Sequence, residues 1–320
     1  MKPLIRLARN VCLIFSTGYV LFFYSERVFW SFFRPGDSFF DILLTWVAYS
    51  VLGWIFLVCI HSCRIHTFPG VFLSGALFGW MGEGGLVTTL YGSPDNPFPI
   101  SISWTGLAWH ALLTIGVGWY ATLTALVSPN WKRSFTLSLS IGLVWGLWGV
   151  FWPSELGATC DTSPTAFLLH SICFGGLLPL AWLGIRYSGQ AVQRWGNKSW
   201  WAMVALVVLI IAIRIIATPE AAWILPVLVG IVFIALSHWR KRSTGPDSIL
   251  LMATGFPKGR VLWFLLAPLV SSASYACLWH VDQKLPTNVL LFLITTPLGF
   301  IVFGWCLWKC WTLKGNLGNP

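Results

Sequence analysis

Apolar runs of about 18 residues or more recur along this chain from end to end, and each is long enough to cross a hydrocarbon core of roughly 30 Å as a helix. Backbone amides inside hydrocarbon find no water, so only helices and closed barrels can span it. A barrel would alternate polar and apolar residues over segments of about 10. The runs here are continuous, so the expected fold is all-α, a polytopic transmembrane helix bundle. Composition agrees: 57% of the 320 residues are hydrophobic and 9% charged, whereas soluble domains carry about 25% charged residues. Such a chain cannot build a water-soluble surface.

The runs place ten spans, at 8–25, 40–61, 69–91, 101–127, 135–153, 164–185, 199–218, 220–238, 261–280 and 287–309, in a single transmembrane domain over 1–320. The first run follows Lys2, Arg6 and Arg9 without a small-residue cleavage site, so it reads as a retained span rather than a signal peptide. Between 249 and 260 the apolar pattern is broken by Gly255, Pro257 and Gly259, the mark of an interfacial or re-entrant piece.

Lys and Arg test the count, because they collect in cytoplasmic loops. With ten spans, sixteen of the 20 fall in alternate segments, among them Arg6, Arg9, Arg64, Lys132, Arg133, Arg186, Arg240 and Lys309. Arg27, Arg34 and Lys284 fall in the opposite loops, and Arg214 falls within a span. Both termini are therefore expected on the cytoplasmic side of the cell (inner) membrane, with an organelle membrane as the alternative. The net charge of +10 then reports topology, and the expected partner is the lipid bilayer rather than nucleic acid. Glu26, Asp37, Asp41, Asp95, Glu155, Asp161, Glu220 and Asp282 sort to the outer ends, while Asp247 lies inside and Glu83 within a span.

A faint repeat joins two helix pairs of the same orientation, 68–127 and 135–186. Thr105–Gly116 and Thr165–Gly176 each carry Thr, then His, then Gly at matching offsets, in His110 and His170 respectively.

An ionisable side chain in hydrocarbon costs about 2.5 kcal/mol or more, so it faces a protein interior or a wet cavity. Glu83, in the glycine-rich run Gly79–Gly85, is expected about 12 Å below the outer end of its helix. His110 and His170 reach similar depths. These three are the candidate catalytic residues, as a general acid–base set, as proton-binding groups or as a two-His, one-carboxylate metal site. No HExxH-type spacing supports a metal, and metal and cofactor stay unassigned. Arg214 is the expected counter-ion or anchor for an anionic head group. Trp80, Trp109 and Trp148, from a chain with 22 Trp, offer aromatic walls for a lipid or small hydrophobic ligand, and Glu155 lies near the same end. Cys59 with Cys63 and Cys306 with Cys310 are each spaced to share a helix face. They could bind zinc if the first-span side of the bundle met the last helix. Cys160 stands alone in an outer loop.

Three readings stay open: a membrane-embedded enzyme acting on a lipid-like substrate through an outward-facing polar pocket, a proton-coupled secondary transporter, and a non-catalytic subunit of a membrane complex. Ten spans with both termini inside, and the Trp145-Gly146 and Trp148-Gly149 pairs, resemble drug/metabolite-type carriers in layout. The five-plus-five inverted repeat that such carriers imply is not found in the sequence.

Overall fold

The computed structural model describes residues 3–34, 36–155, 162–219, 221–242, 248–281 and 285–312. Cys160, Asp161, Glu220, Asp247, Asp282 and Lys284 lie outside the described residues. Among the described residues there is no strand, only an isolated bridge between Ser93 and Asn96. Nine helices there are long and apolar enough to cross a membrane.

In chain order, α1 is Pro3–Phe22, extended by a π-helical turn Phe23–Arg27 and by Val28–Trp30; α2 is Phe39–Ser62; and α3 is Phe68–Trp80, continued π-helically as Met81–Leu86. Next, α4 runs as a π-helix over Ile102–Ala121 and as an α-helix over Thr122–Val127, and α5 is Lys132–Glu155. A broken span follows, α6 Pro164–Gly175 and α7 Leu178–Ser188. The rest comprises α8 Asn197–Ala217, α9 Ala221–Arg242, α10 Leu266–Leu278 and α11 Thr287–Thr312. The end of the bundle that carries the 31–38 and 87–101 loops is taken as its upper end.

The nine apolar helices do not include α3, the counterpart of the expected span 69–91. Its glycines and Glu83 dilute its hydropathy, yet it is the helix most enclosed by others, with Val71–Phe78 nearly or wholly buried. It packs against α2, α4, α9 and α11. A helix shielded by protein on every side needs no lipid-compatible surface, so the least apolar span sits at the centre. At the periphery the relation inverts: the apolar core of α8 is only 17% buried and that of α11 22%.

Two expected ends shift. α1 runs to Trp30 rather than stopping near 25, and Ser31 ends it by turning left-handed at φ 56°. α3 ends at Leu86, so Glu83 lies within its last turn instead of well below the surface.

The interrupted stretch at 249–260 is a short helix Ile249–Met252, a turn and the start of a 3-10 segment Lys258–Leu265. It is tucked under the lower end of the bundle, where Ile249 N donates to Ile65 O at 2.9 Å and Arg186 Nε donates to Phe256 O at 2.7 Å. Cys59, Cys63, Cys306 and Cys310 are buried, free thiols. Burial pushes the Cys63 thiol up to about 12, so it stays protonated. Among the described residues no three His, Cys, Asp or Glu side chains are placed to hold a metal ion, which removes the basis for a zinc site at these cysteines.

Candidate functional site

The π-helical turns of α1 and α3 both pack against the π-helical stretch of α4 near the upper end, and much of the polar cluster there comes from these segments. Ser25, Glu26 and Arg27 lie on the wide turn of α1, Glu83 on that of α3, and His110 and Thr114 on α4. A π-turn bonds i to i+5, is rare, and recurs at functional sites.

His110 Nε2 stands 2.7 Å from Glu83 Oε1, and His110 Nδ1 stands 3.1 Å from Ser25 Oγ. Ser25 Oγ is in turn 3.0 Å from Thr114 Oγ1. With His110 neutral the chain has one consistent polarity: Thr114 donates to Ser25, Ser25 to Nδ1, and Nε2–H to the Glu83 carboxylate. A protonated His110 would instead donate from Nδ1 to Ser25 Oγ, so the same heavy-atom positions accommodate either state of the imidazole. The Thr89 hydroxyl donates to the second Glu83 oxygen.

Close approach of α3 to α4 makes the pair possible. A Cβ at Gly79 would collide with the Gly106 carbonyl oxygen, and one at Gly75 would come within 3.1 Å of Ala111 Cα. Gly75-Ala-Leu-Phe-Gly79 is thus a small-xxx-small seam that brings two backbones together. One turn above it, Glu83 faces His110.

Glu83 and His110 form the wall of a 350 Å³ cavity that also takes in Glu26, Arg34 and Tyr49. Its apolar boundary includes Leu52 and Phe78 and a rim of Leu44, Leu86 and Val87, which are exposed. The exposed part of the rim thus comes from α2 and from the end of α3. Of the pair, the Glu83 side chain is the more accessible at 16% exposure against 6% for His110. Glu26 is held by three donors, Tyr49 Oη at 2.9 Å, Trp30 Nε1 at 3.2 Å and Arg34 Nη2 at 3.2 Å.

The other candidate residues lie around this centre, bonded to main-chain atoms. His170 does not join Glu83 and His110; its Nε2 donates to Arg27 O at 3.1 Å. The two histidines of the faint repeat thus meet the same wide turn of α1, at Ser25 and at Arg27. Trp109 Nε1 donates to Ser25 O at 3.2 Å, Trp148 Nε1 to Phe29 O at 2.7 Å and Trp80 Nε1 to Ile102 O at 3.0 Å. Trp109 and Trp148 also join Trp152 and Phe32 in a buried aromatic cluster. Arg214 donates to Gly85 O at 3.0 Å and to Leu86 O, closing the end of α3. Tyr91 donates to Gly84 O at 2.7 Å, and burial, opposed by the Arg214 cation, pushes its hydroxyl up to about 12, so it remains a donor. Glu155 accepts from Asn288 N at 2.8 Å and Val289 N at 3.1 Å, capping the first turn of α11.

Ser25, Glu26, Arg34 and Tyr49 complete the cavity and its hydrogen-bonded chain, and sequence reasoning did not assign them to the site. The signal for the first two was the polar run Ser25-Glu26-Arg27, which an apolar run ending at 25 assigns to a loop. Comparison with models of known families, with curated proteins and with solved structures finds no match.

Proposed function

We propose that the chain is a membrane-embedded enzyme that acts on a lipid-like substrate, with Glu83 transferring the proton and His110 positioning and buffering it. The reading rests on one observation, the 2.7 Å Glu83–His110 pair on the wall of a cavity whose rim carries the exposed apolar side chains Leu44, Leu86 and Val87. A lipid entering sideways would bring its polar part to Glu83, Tyr49 and Arg34 while its chain stayed among Leu44, Leu86 and Val87. Glu83 would take a proton from a hydroxyl or a water, or return one to a leaving group. Ser25 would hold His110 in place in either state, with Thr114 behind it. The cavity volume, near the lower end of the usual range for small-molecule pockets of about 300–1,000 Å³, suits a head group and its first carbons. The charge distribution of the loops supports a cell membrane with both termini cytoplasmic, which puts the pair in the outer half.

A proton-coupled carrier is the second reading, favoured by the largely buried, protonatable Glu83–His110 pair within the bundle, because ionisable groups inside a membrane bundle mark proton and solute pathways. One experiment separates the two. The protein and its Glu83→Gln variant are placed in nanodiscs of a total lipid extract, and lipid species are compared by mass spectrometry over time. The enzyme reading expects a species converted by the native protein and lost with Glu83→Gln, with a fall of about 100-fold or more in rate. No converted species, together with pH-driven solute uptake into vesicles that Glu83→Gln abolishes, would replace it with the carrier.

A further inference from the structure

Behind the cavity, Arg27 presents an unusual state. Its side chain is 0% exposed, and none of its Nε, Nη1 and Nη2 atoms makes a hydrogen bond among the described residues. The nearest anion is Asp37, whose Oδ2 is 3.8 Å from Nη2, beyond hydrogen-bond reach. Asp37 is better engaged elsewhere, accepting from Arg34 Nε at 3.1 Å. A guanidinium carries five N–H donors in a planar fork that matches phosphate or carboxylate. Leaving them unmet in a buried site is costly, and among the described residues only the distant Asp37 carboxylate and two aromatic rings offset that cost.

The guanidinium lies over two rings, 4.9 Å from the centre of Phe22 and 5.0 Å from that of Phe174. Those two rings also line a second, separate cavity. It is a 460 Å³ apolar groove between α1, from Cys12 to Phe22, α2, from Phe39 to Trp46, and the α6–α7 break, from Phe174 to Ala181. Along α1 the groove rises over ten residues, about 15 Å at the helical rise, and Phe22, Phe39 and Phe174 close its upper end. Arg27 stands one further turn up. An apolar trough ending below a buried cation with free donors has the polarity of an amphiphile with a negative head.

We infer that the groove is a binding site for a single acyl chain carrying an anionic head group, phosphate or carboxylate, whose head takes the place of Asp37 against Arg27. The head must displace the Asp37 carboxylate and the Phe33 ring, which packs against His170 and Phe174 at 5.0 and 5.9 Å. The 31–38 strap that carries both turns left-handed at Ser31 and Gly36, at φ 56° and 88°, which sets it off from the helices on either side. Because Asp37 bonds Arg34 and Arg34 bonds Glu26 on the wall of the first cavity, occupation of the groove would also loosen that wall. The inference does not depend on the enzyme reading, since neither Glu83 nor His110 touches the groove.

The test uses the full chain in phosphatidylcholine nanodiscs and radiolabelled dodecyl phosphate, with dodecanoate, dodecyltrimethylammonium and dodecyl maltoside as competitors. Dodecyl phosphate or dodecanoate should bind at least tenfold more tightly than the cationic and neutral probes, and the tighter of the two anions identifies the head group. Arg27→Gln should remove that preference, and Asp37→Asn should strengthen anion binding by removing the competitor. Leu43→Trp fills the groove from the lipid side without touching Arg27, so it should block all four probes even if the Arg27 variant folds poorly. Equal binding of anionic, cationic and neutral probes would overturn the inference, as would undiminished anion preference in a folded Arg27→Gln protein.

Discussion

At the residue scale, many of the polar side chains at the upper end serve backbone groups. A π-turn or a broken helix leaves carbonyls without helical partners, and each such group left unpaired in hydrocarbon costs several kcal/mol. Trp109, Trp148, Tyr91 and Arg214 supply donors at Ser25, Phe29, Gly84 and Gly85, and His170 adds a second donor at Arg27 O, which also accepts from Ser31 N at 3.0 Å. This accounts for what the sequence could and could not tell about the site. It does mark Glu83 and His110, because an acid and an imidazole inside apolar runs must be accommodated by something. His170, Trp109, Trp148 and Arg214 carry the same mark, yet their donors are aimed at carbonyls whose availability depends on where a helix widens, and no local pattern in the sequence announces that. Two substitutions measure these roles. Trp148→Phe keeps the ring in its cluster and deletes one N–H, so it should lower stability by about 1–3 kcal/mol, read as a lower midpoint of thermal unfolding in detergent. Glu155→Ala should cost about 0.5–2 kcal/mol by uncapping α11, with faster hydrogen exchange confined to the first turn of that helix.

At the element scale, association of helices in lipid gains nothing from the hydrophobic effect and relies on close packing. The tightest seams are built on glycine pairs four apart: Gly75 and Gly79 of α3 against α4, and Gly142 and Gly146 of α5 against α10. A Cβ at Gly142 would stand 2.7 Å from Ala267 O, and one at Gly146 2.5 Å from Ser271 O. Existence and rough position of the spans were legible, because run length against bilayer thickness is a strong constraint. Their internal geometry was not. α4 reads as an ordinary apolar helix in sequence, but it winds as a π-helix for 20 residues, and nothing in hydropathy distinguishes the two windings. The α3–α4 seam was readable as small-xxx-small, and it is what aligns Glu83 with His110. Gly79→Val should therefore separate the helices, costing about 1–3 kcal/mol or more from overpacking. The same change should abolish any activity that depends on the Glu83–His110 bond, whereas Gly230→Val, at a position with open space around it, should leave both stability and activity near native.

At the scale of the whole molecule, the arrangement departs from the soluble pattern: the helix that carries Glu83 is innermost, and two strongly apolar helices, α8 and α11, are the least buried. Which leaflet the cavity faces then depends on the sidedness of the bundle. The 31–38 and 87–101 loops share one end, and the 128–131 turn lies at the other. Loop charges favour the latter as the cytoplasmic end, since Lys132, Arg133, Arg186 and Arg240 gather there, while the upper end holds Glu26, Asp37 and Asp95. Asp95 and Asn130 are exposed at opposite ends. With a membrane-impermeant thiol reagent, Asp95→Cys should label in intact cells and Asn130→Cys only after permeabilisation. Signal from the native thiols is subtracted with the unsubstituted protein. The opposite pattern would turn the Glu83–His110 cavity toward the cytoplasmic leaflet, where anionic lipids are concentrated. It would also place the Arg27 groove in the leaflet richest in the ligands it is inferred to bind. The pair, the groove and their geometry would stand unchanged under that result, but the supply of substrate would have to come from the cytoplasmic face.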